Sequence, residues 1–251
     1  MNPGFFKRIA VACAISLAAA SANAGIVIAN TRVIYPANTR EITVKLNNNG
    51  ATPALVQSWI DDGNASINAQ QRPMPFTLTP PIFRLDPTKG QMLRVTYTGE
   101  SLPSDRESVY WLNVLEIPPR SQVSDEEGQN KLQLAFRTRI KLFFRPAGLE
   151  GNANEAAEKL TWSLAQASND DKQIVLLAKN PTPYHVSVTR ASMEISGKTY
   201  ESAPGMIDPH GQREFALNGL QQIPQGQRQI RFETINDYGA SVPGAFPPED
   251  R

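Results

Sequence analysis

Beyond residue 25, apolar side chains recur at every second position rather than every third or fourth: Ile42, Val44 and Leu46; Leu93, Val95 and Tyr97; Leu132, Leu134 and Phe136. A period of two sends alternate side chains to opposite faces of an extended chain, so each run predicts a β-strand with one face buried and one in water. The period alone does not say which face is outside. Polar and Pro/Gly clusters at 47–50, 61–64, 79–81, 86–90 and 118–119 separate these runs at the spacing of strand connections.

The second half repeats the style with weaker rhythm, at Leu160, Trp162 and Leu164, at 174–177, at Val186 and Val188, at Phe215 and Leu217, and at Ile230 and Phe232. An all-β protein of two immunoglobulin-like sandwiches is therefore expected. The small, polar stretch 146–159 is the linker candidate, with a turn or two of helix expected at 155–159. The expected domains are 25–147 and 156–251, joined by 148–155.

The N-terminus follows a different rule. Lys7 and Arg8 precede a 12-residue apolar core at 9–20, and Ala22-Asn23-Ala24 is an A-x-A cleavage site. This is the pattern of a secretory signal peptide, 1–24, removed after Ala24. The core falls short of the roughly 20 residues that span a bilayer. Of the 251 residues, 227 would remain, about right for two domains of roughly 110.

Composition narrows the chemistry. The whole chain has 25 Lys and Arg against 24 Asp and Glu, and loss of Lys7 and Arg8 with the leader leaves no basic field for nucleic acid. Hydrophobic residues make up 40%, enough for a core, while 16 Gly and 20 Pro stay below the low-complexity range. The single cysteine, Cys13, lies in the leader, so the mature chain offers no disulfide, thiol nucleophile or thiolate metal site. His185 and His210 read as a strand side chain and a loop residue. No phosphate-binding loop, dinucleotide turn, nucleophile elbow or zinc helix is present, so no enzyme activity, cofactor, nucleotide or metal is expected. Trp59, Trp111 and Trp162 lie in strand-like runs and read as core.

Five stretches taken together resemble the periplasmic chaperones of chaperone/usher pili. They are Asn30-Thr31-Arg32; Asp105-Arg106-Glu107-Ser108 through Glu116-Ile117-Pro118-Pro119-Arg120; Ile140-Lys141-Leu142-Phe143-Phe144-Arg145-Pro146; Asn180-Pro181-Thr182-Pro183-Tyr184; and Ile235-Asn236-Asp237-Tyr238-Gly239. The resemblance spans the mature chain. It implies two immunoglobulin-like domains set in a boomerang, a periplasmic location, and a chaperone that lends pilus subunits a missing strand, caps them and delivers them to an outer-membrane usher.

Residue by residue, the resemblance implies that 131–136 is the donor segment, with Leu132, Leu134 and Phe136 entering the subunit's groove. Arg32 and Lys141 match the two cations that hold the subunit's C-terminal carboxylate, a task suited to a guanidinium fork beside an ammonium. Glu107, Arg145 and Asp237 match a buried interdomain ion network with a structural role. The short acidic stretch 121–130 resembles the short-loop branch that serves rod-forming pili. An exposed apolar strand also makes a self-capping oligomer an expectation. The alternative is an exported fibre subunit or adhesin, but such a subunit is expected to carry an N-terminal donor extension and commonly a cysteine pair, and neither is evident here.

Overall fold

In the computed structural model, residues 25–64, 73–119, 134–168, 170–220, 222–223 and 229–247 are described. The first half contains nine strands: β1 (Ile26–Ile28), β2 (Arg32–Pro36), β3 (Glu41–Asn48), β4 (Ala54–Asp61), β5 (Phe76–Thr79), β6 (Ile82–Leu85), β7 (Gly90–Tyr97), β8 (Ser108–Ile117) and β9 (Phe136–Arg145). They form a four-stranded sheet, β1-β3-β7-β5, and a five-stranded sheet, β2-β9-β8-β4-β6. The alternating side chains of both sheets meet in one core: Val44 and Leu46 of β3, Leu93 and Val95 of β7, Leu112 and Val114 of β8, and Leu142 and Phe144 of β9, with Tyr35 fully enclosed. The period-two runs at Ile42 and Leu93 are thus β3 and β7.

The second half holds β10 (Thr161–Ala167), β11 (Asp170–Lys179), β12 (Val186–Ile195), β13 (Lys198–Glu201), β14 (Gly205–Ile207), β15 (Gln212–Ala216), β16 (Ile230–Ile235) and β17 (Ser241–Phe246). One sheet runs β10-β11-β15; the other runs β13-β12-β16-β17, with β14 also on β12. A separate core forms between them around Trp162, Leu176, Met193, Ile207, Phe215 and Phe232. Trp162 lies between Phe232, at 5.0 Å, and Phe215, at 5.5 Å. A 3-10 helix, Ala153–Lys159, capped by the Asn152 side chain, leads into this half. The fold is nearly all-β, in two sandwiches.

One topological detail positions the site. β2 pairs with β9 in parallel, from Arg32 opposite Lys141 to Pro36 opposite Arg145. Continued backward in the same register, residues 27–31 would lie opposite 136–140. Instead β1 has crossed to the other sheet and pairs with β3. β9 is bonded to β8 along its whole length, Phe136 opposite Glu116 through Phe144 opposite Ser108. Among the described residues, 136–140 are therefore paired on one edge only.

Each core supports its own sheets, so a cavity in either should weaken the fold. Leu93→Ala in the first core and Leu176→Ala in the second, both fully buried, should each cost about 2–5 kcal/mol. A urea-midpoint shift with unchanged slope is the check.

Candidate functional site

Along β9 the even-numbered side chains face the core. Leu142 and Phe144 are buried, Ile140 is half-buried, and Phe136 is 62% exposed; Leu134, just before the strand, is 53% exposed. The apolar row thus runs past the end of its own core. Phe136 and Leu134 are both exposed, a point the period of two left open. The described strand begins at Phe136 rather than at 131, because Leu134 and Ala135 precede its first ladder pair, and Leu132 lies outside the described residues.

The open edge ends where β2 begins, at Arg32 and Lys141, which are cross-strand partners and project from the same face. Among the described residues neither takes part in a salt bridge. Arg32 donates from one terminal nitrogen to the Ile235 carbonyl oxygen at 2.8 Å, lies 5.6 Å from the centre of the Phe143 ring, and keeps a buried Nε with no partner. Lys141 Nζ donates to Ser187 Oγ at 2.9 Å. A cavity of about 320 Å3 opens here, lined by Thr31, Arg32, Trp111, Lys141, Ile235 and Gly239 among others.

Burial and the neighbouring Arg32 and Arg213 charges push the Lys141 ammonium down to about 8. Burial also lowers Arg32, while Asp237 and Glu107 partly offset it. An anion placed between these two cations would relieve both.

Behind the cations lies a network in which one guanidinium meets two carboxylates. Arg145 Nε donates to Glu107 Oε1 at 2.7 Å, and its two terminal nitrogens donate to the Asp237 carboxylate at 2.7 and 3.0 Å. The fork joins β8–β9 of the first sandwich to the β16–β17 turn of the second. Burial alone would lower the Arg145 guanidinium, but the bonds and charges of Asp237 and Glu107 raise it above its usual value. The Arg145 guanidinium also stacks 5.3 Å from the Tyr184 ring centre.

Residues from each of the five motif stretches meet at this cleft, the second through Glu107. The Glu107 N–H donates to the Pro183 carbonyl oxygen, and the His185 N–H donates to Glu107 Oε2, each at 2.9 Å. Asn180 Nδ2 holds the preceding loop closed through the carbonyl oxygens of Tyr184 and Asp208. Gly239 has φ of 83°, and a Cβ there would sit 2.3 Å from Thr31 Oγ1. The turn of the second sandwich can rest on Thr31 only because position 239 carries no side chain.

Sequence reasoning missed three participants. His185, read as a plain strand residue, has a side chain 5% exposed, with Nδ1 3.4 Å from Glu107 Oε2. Ser187 and Asn154, whose Oδ1 accepts from the Asp237 N–H at 3.2 Å, were not singled out. Their roles come from contacts across the domain boundary, which no local pattern records. His210 is a turn residue with φ of 53°. Among the described residues no cluster of His, Cys, Asp and Glu could hold a metal ion.

Two sandwiches, a strand edge open among the described residues and a cationic cleft beside it make up the site. Residues 25–150 match the family described as "Pili and flagellar-assembly chaperone, PapD N-terminal domain", and residues 155–246 match "Pili assembly chaperone PapD, C-terminal domain". The chain belongs to this family of pilus-assembly chaperones, which is not an enzyme class.

It is 42% identical over 241 residues to the probable fimbrial chaperone YadV of Escherichia coli K12, covering 95% of this chain and 96% of that one. The crystal structure of the YadV chaperone superposes with a TM-score of 0.74 at 42% identity, covering 88% of this chain and 98% of that one. A structure described as the Salmonella enterica SafA pilin in complex with the SafB chaperone gives a TM-score of 0.70 at 28% identity, covering 88% of this chain and 95% of that one.

Neutralising Glu107 removes acceptors for Arg145 Nε and for the His185 N–H and leaves the guanidinium with Asp237 alone; neutralising Asp237 leaves it with Glu107. Glu107→Gln, at a side chain 2% exposed, should lower the thermal midpoint more than Asp237→Asn, at one 21% exposed. The expected loss is about 3–5 kcal/mol at the first and less at the second, where water screens the charge. Both variants should lower stability more than affinity for a bound strand, which differential scanning calorimetry beside a binding titration would separate.

Proposed function

We propose that this chain is a periplasmic chaperone that binds pilus subunits by lending them β9 as a missing strand, with Arg32 and Lys141 holding the subunit's C-terminal carboxylate. The observation that carries the reading is the conjunction on one strand edge. Among the described residues 136–140 have an unpaired backbone row, the apolar side chains run on from Phe136 to Leu134, and the edge stops at two cations outside any described salt bridge. Adding a strand to such an edge satisfies the N–H and C=O groups of both partners, with side-chain pockets giving selectivity.

Electrostatics sets the direction of the added strand. A client strand running parallel to β9, from 136 toward 141, brings its carboxylate to Arg32 and Lys141 and meets the start of β2 head-on. An antiparallel strand would present its amino end or its mid-chain there, leaving the cations unmatched. Charge-assisted bonds of this kind contribute about 1.5–3 kcal/mol each. Leu134 and Phe136, with Leu132, enter the client's groove, each burial contributing about 1.5–3 kcal/mol.

Supporting the location are the leader pattern at 1–24 and the relation to the fimbrial chaperones. Cleavage follows Ala24. The two sandwiches are taken as 25–147 and 156–251 with 148–155 between them, and the Glu107–Arg145–Asp237 network holds the cleft between the two. Capped subunits pass to an outer-membrane usher, and an empty β9 edge is protected by pairing with a second copy. No cofactor, nucleotide, nucleic acid or metal takes part.

The test is periplasmic co-expression with the pilus subunits encoded beside this chain. Wild type should co-purify 1:1 with a subunit, while Arg32→Ala and Lys141→Ala, folded by circular dichroism, should lose the complex. Wild-type yields from both variants would sink the carboxylate anchor.

A second expectation concerns pH. A bound carboxylate raises the Lys141 pKa from about 8, so binding takes up a proton at and above that pH. Affinity should therefore be full below pH 8 and fall as pH rises through it. Fluorescence titrations between pH 6.5 and 9.5 should show this fall, and Lys141→Arg should flatten it.

A further inference from the structure

The outer face of the five-stranded sheet carries a second constellation, which reaches the cavity beside Arg32 and Lys141 at Trp111 and Arg139. Trp59 and Asp61 of β4, Trp111 and Asn113 of β8, and Arg137 and Arg139 of β9 face away from the core. Ladder pairs place Asp61 opposite Trp111, Trp59 opposite Asn113, and Asn113 opposite Arg139. The reading of Trp59 and Trp111 as core is corrected here: both are half-buried and covered by guanidinium groups, Arg137 4.9 Å from the Trp59 ring centre and Arg139 4.9 Å from that of Trp111.

Asp61 is the hub. Its side chain is 7% exposed, and four donors fill its two oxygens. The Gly63 N–H, at 2.8 Å, and Arg139 meet Oδ1; Asn113 Nδ2, at 2.8 Å, and Arg137, at 3.2 Å, meet Oδ2. Arg137 also donates from Nε and a terminal nitrogen to Asn113 Oδ1 at 2.8 and 2.6 Å. Burial alone would raise the Asp61 carboxyl, yet the bonds from Arg139, Gly63 and Asn113 bring it below the usual carboxylate range. Trp111 is held from its other side as well: Gly63 has φ of 104°, and a Cβ there would lie 2.7 Å from the indole Cζ3.

We propose that Asp61 is a positioning residue for the strand-lending edge, clamping Arg137 and Arg139 across β8 onto β4 so that residues 136–140 keep strand geometry while their outer edge stands empty. A strand with one bonded edge has half the ladder of an interior strand, and its end is where fraying begins. The two arginines sit at alternate positions within the half-paired stretch, and each spans from β9 toward β4. Without Asp61, Arg137 and Arg139 would lose the salt bridges they make to it, beside Lys141 on the same face of β9. The clamp acts from the face opposite the apolar row, so it stiffens the edge without covering Phe136. The device rests on the proposed function only in what occupies the edge.

The test uses the mature chain with Asp61→Asn, which keeps the shape and removes the charge. Hydrogen–deuterium exchange should quicken at least 10-fold at those amides of residues 136–140 that bond to β8, with β3, β7 and the second sandwich unchanged. Affinity for a pilus subunit should fall about 10-fold. Val95→Ala, a core change in the other sheet, serves as a control of comparable thermal-midpoint loss and should move neither readout. Unchanged exchange at 136–140, or a control that reproduces both effects, would overturn the clamp. Should Asp61→Asn not fold, Gly63→Ala displaces Trp111 and should quicken the same amides, and its failure to do so would overturn the clamp equally. The exchange arm needs no client, so a wild type that binds no subunit would remove the functional reading and leave the clamp to be judged on exchange alone.

Discussion

An extended backbone segment must place its N–H and C=O groups somewhere, and the molecule is organised around a segment that places only half of them. The crossing of β1 into the opposite sheet leaves one edge of residues 136–140 of β9 without a partner among the described residues, while β2, a few residues later, occupies the remainder of the same edge. The crossing thus makes the gap, and the first residue of β2, Arg32, closes it at one end. A single change of sheet by the chain produces both an open slot and its stop.

The slot would be of little use if its end were electrically neutral. Two arginines and a lysine crowd the interdomain cleft, and the protein treats them unequally. Arg145 receives two carboxylates, from Glu107 and Asp237, in a fork that ties the sandwiches together. Among the described residues, Arg32 and Lys141 receive a carbonyl and a hydroxyl oxygen. Hydrogen bonds to neutral acceptors do not repay the burial of charge in full, which is why the Lys141 ammonium titrates near 8. The compensated cation fixes the frame, and the two uncompensated ones hold an unmet demand for an anion within it.

Much of this was legible in the chain. The period of two at Val44 and Leu46 and at Leu93 and Val95 fixed those strands because each covers a core on one face only, the circumstance in which alternation is clean. The motif residues Arg32, Lys141, Glu107, Arg145 and Asp237 were found through resemblance, and the structure brings all five into one cleft. Period alone could not tell that Phe136 points off the end of the core while Phe144, on the same row, points into it. That depends on where the opposite sheet stops. The Asp61 turn was read from its local chemistry, and the Gly63 N–H on its Oδ1 bears that out. Its other partners, 52 to 78 residues away, leave no trace in neighbouring sequence, so Trp59 and Trp111 looked like core when they are the undersides of two arginines.

The arrangement also bears on register. Side chains alternate along a strand, so a slip of one residue would send every apolar group of an added strand to the wrong face. Backbone bonding along β9 cannot by itself prevent such a slip, since each register offers the same N–H and C=O groups. In the proposed mode, a carboxylate caught at Arg32 and Lys141 would count residues from a chemically unique point, the end of the chain, and so select one register out of many. The selection works only if the edge it indexes does not shift, and the clamp at Asp61 supplies that condition from the opposite face. Position along the strand is thus set by charge at its end, and the straightness of the strand by charge along its back.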